Sequence, residues 1–146
     1  MKWRKYNNVT IEEIEEVEKK LGVKFPEDFL DVIKKYDGGY PEYHTIVVNG
    51  MKECLNNLVS FKKEDVYSYI LNIIEDTEYF NELDLIPIGE DPGGNLFCYS
   101  VENDVWKIVF CDHEKRYRPT FVCNTFTEFI EMLHYNDEDE EEEDYI

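Results

Sequence analysis

With 146 residues, 42% of them apolar and 15% aromatic, the chain can build one packed domain that buries about 70% of its unfolded surface. Its formal net charge of −19, from 34 acidic and 15 basic residues, repels phosphate backbones and argues against nucleic acid as a direct partner. No apolar segment follows the basic N-terminus and no run reaches the ~18 apolar residues of a membrane span, so a cytoplasmic protein without membrane contact is expected.

Thr10-Ile11-Glu12-Glu13 is a capping box, and Ile11, Ile14, Val17 and Leu21 recur at helical spacing with Glu and Lys on the other face. Gly22 suits the left-handed residue that closes this helix. Pro26 opens a second helix, Glu27 and Asp28 favour its positive end, and Phe29, Val32, Ile33 and Tyr36 form its apolar stripe. Asp37-Gly38-Gly39 stops it. Tyr40 to His44 reads as a loop with exposed aromatics. Thr45 to Val48 is a strand closed by the turn pair Asn49-Gly50. A short strand is expected near Leu58 to Phe61. Ser60 is then expected to cap a helix over Lys62 to Ile74, with Val66, Tyr69, Ile70 and Ile73 on one face. Tyr79 and Phe80 should tuck under the sheet.

The central stretch runs from Leu83 to Asp112. Leu85 to Ile88 is an apolar strand in which Pro87 demands an edge or a bulge. Gly89 to Asn95 is a polar turn with three glycines. Leu96 to Val101 and Val105 to Cys111 are strands joined by Glu102-Asn103-Asp104, which makes an antiparallel meander. His113 to Arg118 is a charged loop, and Phe121 to Cys123 is a short edge strand. Thr125 to Glu128 repeats the capping box before a helix carrying Phe126, Phe129, Ile130 and Leu133. Residues 1–135 are expected to form one domain, and residues 136–146 a disordered acidic tail. That tail carries eight acids; removing them from −19 leaves −11, so the body is acidic too.

Chemistry-bearing patterns are sparse. The glycine turn has neither the phosphate-loop spacing nor a helix behind it, and Glu90 and Asp91 would repel a phosphate. The four cysteines form no CxxC pair and read as buried thiols. Cys111, His113 and Cys123 lack structural-zinc spacing, although Cys111 and His113 would share a face of an extended strand. No nucleophile motif surrounds a cysteine paired with His44, His113 or His134. No metal or cofactor and no catalytic residue is assigned. Tyr40, Tyr43, Tyr67, Tyr79, Tyr99 and Tyr117 lie near acids, a composition that suits protein interfaces as well as core edges.

Five segments in order resemble the SUKH superfamily. They are Ile14 to Pro26, Phe29 to Gly39, Ile86 to Gly89 with Gly93 to Tyr99, Val105 to Glu114, and Thr125 to Leu133. Phe25 stands where that family has leucine before proline, and Tyr99 where an acid often ends the strand. The resemblance implies an α+β fold, with a mostly antiparallel sheet of about four to six strands flanked by helices. It further implies an immunity protein that neutralises a cognate polymorphic toxin without catalysis. The alternative is a regulatory scaffold acting on an endogenous protein. A nuclease toxin must be basic to hold phosphates, so an acidic inhibitor suits it. Tyr40, Glu42, Tyr43, Glu90, Asp91, Asp104, Asp112 and Glu114 are the partner-binding candidates.

Overall fold

Reciprocal hydrogen bonds start the first helix. The Glu13 N–H donates to Thr10 Oγ1 at 3.1 Å, and the Thr10 N–H donates to Glu13 Oε1 at 3.0 Å. Helix α1 (Ile11–Leu21) ends where Gly22 turns left-handed at φ 70°. Its apolar stripe departs from expectation at two positions. Ile11 is 61% exposed, whereas Glu18, expected on the polar face, is buried. The Glu18 carboxylate accepts the Phe25 N–H at 2.8 Å, which compensates its burial by satisfying a link amide. Helix α2 (Glu27–Tyr36) follows Pro26 and buries Phe29 and Ile33.

The computed structural model describes residues 1–77, 80 and 84–135. The expectations for Tyr79, for Leu83 and for a tail over residues 136–146 fall outside them. The remaining elements are β1 (Trp3–Arg4), β2 (Tyr40–Pro41), β3 (Thr45–Val48), β4 (Met51–Cys54), β5 (Asn57–Leu58), α3 (Ile70–Asp76), β6 (Leu85–Glu90), β7 (Leu96–Glu102), β8 (Val105–Asp112), β9 (Arg118–Cys123) and α4 (Phe126–Met132). Strands β5 to β9 form an antiparallel sheet in sequence order, so the expected meander is present in an α+β fold. β3 and β4 form a separate hairpin around Asn49 and Gly50, both with positive φ. A break in register between Pro87 and Gly89 shows how β6 accommodates proline between two partners: through a bulge rather than as an edge.

Alternation along β7 buries both faces of the sheet. Tyr99 stacks edge-on to Phe29 with centroids 5.6 Å apart, and Phe97 lies 5.2 Å from Phe129 of α4. Leu96 and Cys98 point the opposite way. On that side Phe80 packs on Tyr117 with centroids 5.6 Å apart. Helix α3 lies against β6. Burying rings of this size stabilises the fold by roughly 1.5–3 kcal/mol per side chain. Phe29, Phe61, Phe97, Phe126 and Phe129 are all fully buried.

Three local expectations fail. The helix expected over Lys62 to Ile74 begins only at Ile70. Ser60 Oγ donates to Asp37 Oδ2 at 2.6 Å and accepts the Lys62 N–H at 3.0 Å. Residues 61–69 instead form turns pinned by the Ser60 N–H to Ser68 carbonyl bond (2.7 Å) and the Ile70 N–H to Ser60 carbonyl bond (2.9 Å). Val66 is therefore exposed rather than core-facing. The strand expected over Leu58 to Phe61 is only Asn57–Leu58, and β4 has no counterpart among the expected strands. Tyr40-Pro41 pairs with Trp3-Arg4 instead of looping freely.

Candidate acidic groove

The turn after β6 is held by its own aspartate. Asp91 Oδ1 accepts the N–H groups of Gly93 (2.9 Å) and Asn95 (2.6 Å), and Oδ2 accepts Asn95 Nδ2 at 2.9 Å. Asn95 Oδ1 in turn receives the His113 N–H at 3.0 Å and lies 2.6 Å from its Nδ1. The glycine turn is thereby clamped to the end of β8. Strand β8 stops at Asp112, and a 3-10 turn over His113–Lys115 carries His113 away from Cys111. Cys111 is fully buried while His113 is exposed, so the shared face that an extended strand would give them is absent.

Between this turn, the 66–77 segment and Tyr40 lies an open groove of about 590 Å³. Glu90 forms part of its wall. Glu90 Oε2 accepts Asn57 Nδ2 at 2.6 Å and Ser68 Oγ at 2.9 Å. Burial pushes the Glu90 carboxyl above its ordinary range, against the opposing pull of those two donors. Glu90 Oε1 accepts no hydrogen bond among the described residues. The lining also includes Asp76 and Asp91 but no lysine or arginine among those residues. Beyond the rim, burial and then the charges of Asp91 and Asp112 raise the Glu53 carboxyl. Glu53 is a β4 residue, so this gathering of acids depends on a strand that the sequence reading lacks. Lys20, Lys24, Lys62 and Lys63 pair with Glu13, Glu16 or Glu18, on α1.

Of the eight candidates, Tyr40, Glu90 and Asp91 line the groove, while Asp112 joins Asp91 around Glu53. Asp112 also accepts the Glu114 N–H at 2.9 Å, which places exposed Glu114 beside the same end of the sheet. Glu42 and Tyr43 form another constellation: Tyr135 donates to Glu42 Oε1 at 3.0 Å and packs edge-on against Tyr43 at 4.4 Å. That bond to Glu42 is the main reason the Tyr135 phenol is pushed up to about 12. Asp104 lies at the far end of the β7–β8 ladder, about 26 Å along the chain from Asp112 at the usual rise per residue. Tyr99, grouped by sequence with the surface tyrosines, is core.

Sequence reasoning missed Asn57, Ser68, Asn72 and Glu53 around this groove. Lone amides and hydroxyls carry no periodicity, and their convergence depends on the bulge in β6 and the turns of 61–69. Cys54 Sγ and His44 Nδ1 lie 3.6 Å apart across the β3–β4 hairpin. No carboxylate orients the His44 ring among the described residues, so the arrangement lacks the third member of a nucleophilic triad. The other three cysteines are buried, and burial pushes the Cys123 thiol up to about 12. No described helix is long and apolar enough to cross a membrane.

Residues 11–130 match the family described as SMI1-KNR4 cell-wall. The SPbeta prophage-derived uncharacterized protein YokK of Bacillus subtilis (strain 168) is 27% identical over 154 residues, spanning 85% of this chain and 74% of that protein.

Proposed function

The chain belongs to the SMI1-KNR4 cell-wall family, within the SUKH superfamily, and on that premise we propose that it is a cytoplasmic immunity protein. It binds a cognate polymorphic toxin and blocks it sterically, without catalysis. Residues 1–135 act as the binding unit. The observation that carries this reading is the gathering of carboxylates at one end of the sheet, where, after burial, the charges of Asp91 and Asp112 raise the Glu53 carboxyl. A basic partner relieves that repulsion, and opposite charge accelerates encounter. A net charge of −19 supports the same pairing, as does a relative carried on a prophage.

The test is complex formation with the product of the adjacent gene. Co-elution as a stoichiometric complex supports the reading, and separate elution at micromolar concentrations removes it. The family description as cell-wall favours a second reading, in which the chain is a regulatory scaffold for an endogenous protein. A gene with no toxin reading frame beside it, and a phenotype of altered cell-wall growth on deletion, would favour the scaffold.

A further inference from the structure

Tyr67 is 93% exposed, and Val66 beside it is also exposed. Exposure of this kind is ordinary on a protein surface, and the distinguishing feature is how the backbone beneath it is held. Here the backbone around them is tied down on both sides. The Ser68 N–H donates to the Asp65 carbonyl at 3.2 Å, Ser68 O receives the Ser60 N–H, and Ser68 Oγ reaches Glu90. Asn72 Nδ2 donates to the Val66 carbonyl at 3.0 Å. A large aromatic side chain is thus presented to solvent on a fixed backbone, at the lip of the groove that Glu90 lines.

Glu90 itself is half engaged. Asn57 and Ser68 fix its Oε2, which leaves Oε1 as an acceptor already oriented by its neighbours. Ordering cost on binding is correspondingly low. With Asp76 and Asp91 in the same lining and no described cation among them, the groove is complementary to positive charge. An arginine or lysine can place its head on Glu90 Oε1 while its stem or plane packs on the Tyr67 ring.

We propose that this groove is the docking site for a basic segment of the protein partner, seating one cationic side chain between Tyr67 and Glu90. The assignment rests on the toxin-binding reading for the identity of the partner, and on the groove alone for its chemistry. It adds Tyr67, Ser68 and Asn57 to the interaction surface, and it excludes Asp104, which lies at the other end of the β7–β8 ladder.

Backbone amide shifts of the full chain, titrated with a short arginine-bearing peptide and with its uncharged citrulline counterpart, test the proposal. The arginine peptide should shift Asn57, Tyr67, Ser68 and Glu90, and citrulline should not. Tyr67→Ala and Glu90→Gln should each weaken the arginine peptide by ~10-fold, while Asp104→Asn should leave it unchanged. Equal shifts from citrulline, shifts spread over the acidic surface, or undiminished binding by Glu90→Gln would overturn it. If the peptide marks the groove but no complex forms with the adjacent gene's product, the toxin reading fails and the groove stands. If that complex forms equally well with Tyr67→Ala and Glu90→Gln, the groove fails and the toxin reading stands.

Discussion

The Asp37 carboxylate accepts the Ser60 hydroxyl at 2.6 Å, joining residues 23 positions apart. Its second oxygen accepts the Phe61 N–H at 2.7 Å. One buried side chain therefore couples the stop of α2 to the turns that carry Tyr67.

Burial raises the Asp37 carboxyl from 3.8 to about 6, opposed by its two hydrogen bonds, with Asp65 adding to the rise and Lys62 offsetting it. A carboxyl raised in the folded state contributes its full stability below its unfolded value and loses it as pH climbs through about 6. The whole effect is on the order of 3 kcal/mol, of which roughly 1 kcal/mol falls between pH 5 and 7.5. Urea unfolding of the wild type and Asp37→Asn at those two pH values should show the wild type losing that much relative to the variant. A parallel pH dependence would mean that Asp37 does not titrate in this window.

Tyr99 has a buried hydroxyl without a hydrogen-bond partner among the described residues, set among Phe29 and Trp106. Replacing it by phenylalanine keeps the ring contacts and removes an unsatisfied polar group. Tyr99→Phe should raise the unfolding free energy by about 1 kcal/mol. A loss of that size in denaturant titration would indicate that a partner such as a buried water holds the hydroxyl.

Gly39 accepts the Leu58 N–H while its own N–H reaches the Tyr36 carbonyl. A Cβ there would lie 2.7 Å from the Tyr36 carbonyl oxygen and 3.2 Å from the Trp3 ring. Gly39→Ala should cost about 1–3 kcal/mol by overpacking. Gly93→Ala, where the nearest neighbour is Asp91 at 3.7 Å, should be nearly silent. Equal melting shifts for the two variants would contradict this packing.

Elements with their own local signal are legible in the amino-acid sequence alone. The Thr10 capping box, the Gly22 closure, the Asn49-Gly50 hairpin and the β6–β9 meander all stand where spacing places them. The elements that differ are decided by distant partners. Val66, Tyr69, Ile70 and Ile73 fit a helical stripe, yet the backbone bonds of Ser60 to Ser68 and Ile70 hold residues 61–69 in turns. Glu18 belongs to the solvated face by spacing, but the Phe25 amide requires an acceptor and draws it inward. The acids of the candidate site can be named from the sequence, but their grouping cannot. Glu53 meets Asp91 and Asp112 only because β4 folds back on β3, and Asp104 is carried away by the length of β7.

Charge steering gives the toxin reading a kinetic signature. With a body at −11 once the eight tail acids are set aside from −19, attraction extends over a Debye length of roughly 8 Å at physiological salt. The association rate with the cognate partner should fall at least ~10-fold between roughly 50 mM and 500 mM salt, with a much smaller change in dissociation rate. Stopped-flow mixing reads both, and a salt-independent association rate would remove steering from the account.

Growth of cells expressing the adjacent gene's product, with and without this chain, tests neutralisation most directly. The account predicts arrest by that product alone and restored growth on co-expression with the wild-type chain. Arrest that persists at full expression of this chain, with no complex recovered between the two proteins, would contradict it.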